Sequence, residues 1–180
     1  MGILESILLG IIQGLTEFLP VSSSGHIELG KAVLGVEPGE NLRFTVIVHA
    51  ATVLSTLVVF RKDITLILKG MLKFEWNADW QFAVKIAISM IPVTILGLFF
   101  ADQIESFFDG KIAFVGFMLL FTGGLLLVTT FVKHGKKDVG FHHSILIGIA
   151  QAIAVLPGIS RSGSTIATGL ILGIDRPKVA

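Results

Sequence analysis

The chain has no cysteine among its 180 residues, which excludes disulfides, zinc–thiolate sites and cysteine nucleophiles. Charge is scarce as well: Asp, Glu, Lys and Arg supply 15% of the sequence, against roughly 25% in an average soluble domain. A net charge of +1 leaves little basic surplus to neutralise a phosphate backbone, so a nucleic-acid partner is not expected. The first residues do not read as a secretory leader. Glu5 stands where basic residues belong, and no small-residue cleavage site follows the apolar run. What remains is hydrophobic: 53% of the residues, with a mean hydropathy of +0.85. They come in blocks of about 17–21, close to the ~20 needed to span a bilayer. Composition thus points to an all-α polytopic membrane protein.

Residues 2–19 read as an apolar helix that carries Gln13 and Glu17 and stops at Pro20. Roughly 15 helical residues reach only ~23 Å, short of a ~30 Å hydrocarbon core. A helix that ends at such depth is tolerated where its freed backbone groups line a cavity. A short return limb, Gly25 to Leu34, leads to a polar loop over Val36–Arg43. Three conventional spans are expected next: Phe44–Phe60, Trp80–Phe100 with a kink at Pro92, and Ile112–Val132. The last contains Gly123-Gly124, a pair suited to close helix approach. Trp76 and Trp80 fit an interfacial belt.

The connections between spans alternate in charge. Arg61, Lys62, Lys69 and Lys73 make the first basic, in a segment that reads as an interfacial amphipathic helix. Asp102, Glu105 and Asp109 make the second acidic, with Lys111 its sole base, and Lys133–Asp138 is basic again. The positive-inside rule puts the basic loops in the cytoplasm and the acidic loop outside. The first hairpin then enters from outside, and the helix beginning near His142 enters from the cytoplasm.

That later helix repeats the first. Gly10-Ile11-Ile12-Gln13 corresponds to Gly148-Ile149-Ala150-Gln151, and Leu19-Pro20, with a slip of one position, to Leu156-Pro157. Gln13 to Gly25 and Gln151 to Gly163 are both twelve-residue separations. A proline-broken helix recurring with opposite expected orientation is the pattern of an inverted-topology repeat, with two re-entrant hairpins meeting near the bilayer midplane. Residues 1–132 would form the first repeat, 133–141 a cytoplasmic loop and 142–180 the start of the second. A repeat period near 138 residues also leads one to expect a longer protein with three further spans.

Chemistry concentrates at the two breaks. Gln13 and Glu17, four residues apart, share a helical face. A carboxylate at this depth costs about 2.5–3.5 kcal/mol on insertion scales and needs an offset from Arg161, a cation or protonation. Ser22, Ser23, Ser24 and Gly25 supply donors around a turn, followed by His26 as an acid–base candidate. The second break offers Ser160, Arg161, Ser162, Gly163, Ser164 and Thr165; a guanidinium fork among hydroxyls suits phosphate. Bland alternatives stand beside these readings: interhelical glue for Gln13 and Glu17, snorkelling for Arg161, a helix-start hydrogen bond for His26. His49 reads as a packed or polar-cavity residue; His134, His142 and His143 read as surface residues at a basic boundary. Glu28 is ambiguous. Together the parts describe a polyanion site inside the membrane, and phosphate on a lipid is its natural ligand.

Gln13-x-x-x-Glu17 followed by Phe18-Leu19-Pro20-Val21-Ser22-Ser23-Ser24-Gly25-His26 resembles the first signature of the undecaprenyl-diphosphate phosphatase (bacitracin-resistance) family. Pro157-Gly158-Ile159-Ser160-Arg161-Ser162-Gly163-Ser164-Thr165 resembles the second. The resemblance covers the chain and matches roughly the N-terminal two-thirds of the family's usual length. It implies hydrolysis of undecaprenyl diphosphate to the monophosphate carrier used in cell-wall synthesis, in the bacterial plasma membrane, with the site open to the external side. It also implies a divalent cation (Mg or Ca), a polyprenyl-diphosphate substrate among membrane lipids, and an inverted-repeat fold; a homodimer is compatible with it. By resemblance Glu17, Ser23, His26 and Arg161 are catalytic, and Ser22, Ser24, Gly25, Ser160, Ser162, Gly163 and Thr165 bind phosphate. Glu17 and Gln13 would hold the metal, Gln13 at a position where Glu is also found. Ser24 stands where threonine is also found. Two attacks are open: Ser23 with His26 as base, or water activated by His26. Two further classes compete with this reading. One is a secondary transporter or lipid flippase on the same repeat. The other is a lipid phosphate phosphatase, suggested by Ser23-Ser24-Gly25-His26 but lacking that class's other motifs.

Overall fold

Two prolines decide where the chain must turn. Pro has no N–H to donate and disfavours helical backbone in the residue before it. In the computed structural model of the protein, the helix before Pro20 ends at Thr16 and the helix before Pro157 ends at Ile153. The structure describes residues 1–36, 42–107, 111–133 and 135–179, without the side chains of Leu42, Arg43 and Glu105. The expected polar loop over Val36–Arg43 therefore falls largely outside the described residues, as do Asp109, His134 and the side chain of Glu105.

The described residues are helical, with one isolated backbone bridge between Lys137 and Ile174 and no strand. Helix α1 (Ile3–Thr16) and α2 (Ser23–Leu34) form an antiparallel hairpin. It closes where Gly30 lies against Leu9 and Ile12. Then come α3 (Leu42–Val59), α4 (Arg61–Met71), α5 (Ala78–Phe99), the short α6 (Ala101–Glu105) and α7 (Ile112–Phe131). A second hairpin, α8 (Phe141–Ile153) and α9 (Arg161–Ile171), is followed by a 3-10 turn over Arg176–Lys178.

Of the expected spans, α5 and α7 are long and apolar enough to cross a membrane. Their 22 and 20 residues reach ~33 and ~30 Å at 1.5 Å per residue. Pro92 lies inside α5 without ending it. The remaining one, α3, bends by 74° at Phe60 into α4, which occupies the segment expected as an interfacial amphipathic helix, and gives a third crossing only if the bent pair counts as one. Asn77 Nδ2 on the Gly70 carbonyl (2.8 Å) and Trp80 Nε1 on the Met71 carbonyl (2.8 Å) tie α4 to the start of α5.

The packing is inverted relative to a soluble protein. Leu98, Phe117 and Phe131 on α5 and α7 are exposed, while Gln13, Ser22, Thr122, Ser160 and Ser164 are buried. Such a surface fits hydrocarbon, and the polar interior needs internal partners.

Helix α7 is the post on which both hairpins rest, through contacts with α2 and α9. The close approach does not use Gly123-Gly124, where an added Cβ would meet nothing within 4 Å. It uses the turn before, where Val115, Met118 and Leu119 press on Gly158, and Leu119 also touches Gly25. Gly158 has φ +95°, a backbone that L side chains rarely adopt, and carries no Cβ that would strike the Val115 carbonyl at 2.6 Å. The two turns also touch each other: a Cβ on Gly25 would lie 2.9 Å from Gly158 Cα, and one on Gly163 2.8 Å from the Pro20 carbonyl. On the other flank, Gly148 of α8 seats against Ser89 of α5. The base of the second hairpin is closed by Lys137–Ile174 backbone pairing and a Lys178–Asp138 ion pair. The Lys178 ammonium holds the Asp138 carboxyl below its usual range, and Asp138 raises Lys178.

A side chain at Gly25 must push into backbone. Gly25→Val is expected to lower the melting temperature in detergent, at an overpacking cost of about 1–3 kcal/mol. Gly14→Ala, where a Cβ meets nothing within 4 Å, should leave it unchanged. Tryptophan fluorescence on heating reads both.

Candidate functional site

Each hairpin tip is built from the same local pattern. Ser22 caps α2, its Oγ accepting from Gly25 N (3.3 Å); Ser160 caps α9, its Oγ accepting from Gly163 N (3.0 Å). Ser22 Oγ lies 3.3 Å from Ser24 Oγ, and Ser160 Oγ lies 3.2 Å from Ser162 Oγ. Ser-x-Ser-Gly is thus a shared cap, with Ser23 and Arg161 at the matching first helical positions. The caps differ in strain, because Ser22 sits at φ +68° whereas Ser160 is extended. A non-glycine residue held in the left-handed region is a mark of an over-determined turn.

Both helix N-termini open on one cavity of about 520 Å³. Glu17, Ser22, Ser23 and Ser24 line it from the first hairpin, and Gln151, Ser160, Arg161, Ser162 and Thr165 from the second. Glu17 and Arg161, 144 positions apart in sequence, therefore face the same space. Among the described residues no ion pair joins them. The Arg161 side chain is exposed and makes no hydrogen bond within the described residues.

Glu17 ends α1 and is held from two sides. Its Oε2 accepts from Gln13 Nε2 (2.9 Å) and from the Ser23 hydroxyl. The i,i+4 spacing that put Gln13 and Glu17 on one face produces the first contact. Gln13 is buried, and its own Oε1 has no partner among the described residues. Gln151 Oε1 is likewise unpaired. Gln13 itself does not reach the cavity wall.

His26 is placed differently from the serines before it. Its Nδ1 lies 2.8 Å from the Ser22 carbonyl, and the residue is not part of the cavity lining. Gly25 and Gly163 are buried at the contact between the turns rather than in the cavity wall. Glu28 pairs with Lys31 at 2.8 Å, away from the cavity. His142 is exposed, but His143 is buried, with Nδ1 accepting from Gly140 N (3.0 Å), so it is not a surface residue.

Three contributors were not visible as site residues in the sequence. Thr122, buried in the middle of α7, donates Oγ1 to the Gly158 carbonyl (2.8 Å) and accepts from Ser160 N (3.0 Å). One hydroxyl thereby satisfies both sides of the second break. A threonine in an apolar helix carries no signal of this, because it depends on which turn lies opposite. Thr45, on α3, reaches the cavity with His49, and Gln151 was legible only as a repeat partner.

Helix N-termini leave first-turn N–H groups unsatisfied and carry partial positive charge, a setting that favours a tetrahedral oxyanion. Adding an unpaired guanidinium and a ring of hydroxyls gives the donor set of a phosphate site. A cavity lined by polar side chains at the junction of two helical hairpins, in a chain with membrane-type helices, defines the class of protein. The comparisons narrow the class to a family. The family described as "Bacitracin resistance protein BacA" matches residues 6–180, and the chain belongs to it. It is 58% identical over its whole length to the undecaprenyl-diphosphatase of Christiangramia forsetii, covering 69% of that relative. It is 51% identical to that of Bacteroides fragilis over 98% of the chain and 66% of the relative. The similarity to that of Methanosphaera stadtmanae is 40% over the whole chain and 71% of the relative. The chain thus spans about two thirds of the length of these relatives.

Removing the Thr122 hydroxyl would leave a buried carbonyl and a buried N–H unpaired, at about 1–3 kcal/mol each. Thr122→Val is therefore expected to weaken inorganic phosphate binding by tenfold or more, and Thr122→Ser to retain it. Calorimetric titration of the detergent-solubilised protein measures both.

Proposed function

We propose that the protein hydrolyses undecaprenyl diphosphate to undecaprenyl phosphate and inorganic phosphate. The relatives at 58% and 51% identity carry the name undecaprenyl-diphosphatase. The observation that carries the reading is geometric: a carboxylate–serine pair, Glu17 and Ser23, and the guanidinium of Arg161, unpaired among the described residues, share one cavity. Arg161 and the N-terminal amides of α2 and α9 bind the diphosphate oxygens and stabilise charge as it shifts to the leaving phosphate. The Ser22, Ser24, Ser160, Ser162 and Thr165 hydroxyls orient those oxygens.

The Ser23 hydroxyl, donating to Glu17, is a nucleophile beside its base. Its oxygen attacks the terminal phosphorus while its proton passes to Glu17. The bridging P–O bond breaks, and its electron pair leaves with undecaprenyl phosphate. Water then cleaves the Ser23 phosphoester, and Glu17 returns the proton to the serine. His26 acts from behind the turn, its Nδ1 hydrogen bond to the Ser22 carbonyl holding the strained cap. Transport by a flippase requires no carboxylate–hydroxyl pair at the phosphate, so the hydrolytic reading is favoured over that alternative.

The donor set also fits a divalent cation. Glu17 offers a carboxylate, and Gln13 has a buried amide oxygen without a partner. The described residues contain no cluster of three or more His, Asp or Glu ligands. One carboxylate with phosphate and water completing the shell is the habit of Mg²⁺ rather than of a protein-caged Ca²⁺. Glu17, which lines the cavity, would hold such an ion with Gln13 bonded to it from behind, and the ion would supply positive charge against the phosphates.

The matched Ser-x-Ser-Gly caps and the contact between the two turns support an inverted repeat whose re-entrant hairpins meet near the membrane midplane. Basic residues at Arg61–Lys73 and Lys133–Lys137 favour the cytoplasmic side for those loops, in the bacterial plasma membrane, and an externally open site.

Purified full-length protein in detergent should release phosphate from a polyprenyl diphosphate without any ion gradient. Glu17→Ala and Arg161→Ala should each lower kcat/KM by about 100-fold or more, the range lost with an electrostatic stabiliser. Unchanged activity in both variants at matched expression would remove the proposed site. Lipid movement across liposomes without phosphate release would favour transport.

A further inference from the structure

A third wall of the cavity comes from α3, through Thr45 and His49. The two are one helical turn apart and share a face. His49 is half-buried, with Nδ1 2.8 Å from the Thr45 carbonyl. A carbonyl can only accept, so this contact places the proton of a neutral ring on Nδ1 and leaves Nε2 with a free lone pair. Among the described residues that line the cavity, His49 is the sole imidazole. Its hydrogen bond is local to α3, so the ring is oriented without drawing on the Glu17–Ser23 pair. Among the described residues, the other ionisable groups lining its cavity are Glu17 at the end of α1 and Arg161 at the start of α9. The α4 charges begin at Arg61, about three helical turns further along.

The proposed reaction has a step that needs such a group. Once Ser23 is phosphorylated, Glu17 holds the serine proton and cannot also deprotonate water. We propose that His49 is the general base of this second step. This rests on the phosphatase reading with Ser23 as nucleophile. The oxygen of a water in the cavity bonds to phosphorus, and that water's proton goes to His49 Nε2. The Ser23 Oγ–P bond breaks, its electron pair stays on Oγ, and Glu17 returns its proton there. Phosphate leaves, and His49 releases its proton to solvent. No oxidant or additional reactant is required.

The test is His49→Gln in the full-length protein, with phosphate release and undecaprenyl phosphate formation followed by rapid quench. The expected result is a kcat lower by about 100-fold, within the usual range for general acid–base catalysis. It should be accompanied by a burst of undecaprenyl phosphate and accumulation of phosphoserine at Ser23, read by mass spectrometry. A purely structural role would slow both products together and trap nothing. A turnover within about threefold of the unsubstituted protein, or a slow variant with no phosphoserine, overturns the proposal. A second measurement avoids dependence on the variant's folding. Diethyl pyrocarbonate should modify His49 in the unsubstituted protein, with inorganic phosphate protecting it; no modification, or modification indifferent to phosphate, also overturns it. Absence of phosphate release by the unsubstituted protein would instead defeat the phosphatase reading on which this one stands. Unchanged activity in Ser23→Ala would defeat the nucleophile assignment, and the His49 step with it.

Discussion

A helix broken among apolar side chains exposes backbone donors and acceptors that no solvent is there to satisfy. The rest of this structure follows from how that deficit is met at two places. At each break a serine caps the next helix through its own hydroxyl, Ser22 for Gly25 N and Ser160 for Gly163 N. At the second break Thr122 supplies what the turn cannot, accepting from Ser160 N and donating to the Gly158 carbonyl. Glycines at the contact then let the two turns approach to backbone distance. The residues at the two helix starts line one cavity, a setting that favours an anion.

In the proposed reaction this arrangement separates binding from attack. The second hairpin holds Arg161 with no carboxylate bonded to it among the described residues, which leaves the guanidinium to a phosphate. The first hairpin holds Glu17, but the carboxylate is occupied by Gln13 and Ser23. A direct Glu17–Arg161 pair would satisfy both charges and leave little for a ligand. Keeping them apart across the cavity is consistent with a site organised for a charge that arrives with the substrate.

Much of this was readable from sequence because the chemistry is local there. Pro20 and Pro157 announced the breaks, the i,i+4 spacing announced the Gln13–Glu17 contact, and the Ser/Gly runs announced donor-rich turns, though not the caps that Ser22 and Ser160 form. Arg161 in an apolar setting already asked for an anion. Illegible were the contributions set by which surfaces meet. Thr122 looks like any threonine in a span, and Gly123-Gly124 beside it looked like the packing seam, yet the seam runs through Val115, Met118 and Leu119. His26 and His49 bond to backbone carbonyls in the same i,i+4 manner, and only the fold tells which ring reaches the cavity. The turn at Phe60 was legible in outline, because the basic segment after it reads as a separate interfacial helix, but its 74° angle was not.

The central claim is that two hairpins far apart in sequence make a single site. A double-mutant cycle on kcat/KM, with Glu17→Gln, Arg161→Lys and both together, addresses it most directly. One shared site requires strong coupling: the double variant should be little worse than the poorer single, with an interaction energy above about 1 kcal/mol. Losses that simply multiply would mean that Glu17 and Arg161 act independently, and would contradict the single cavity.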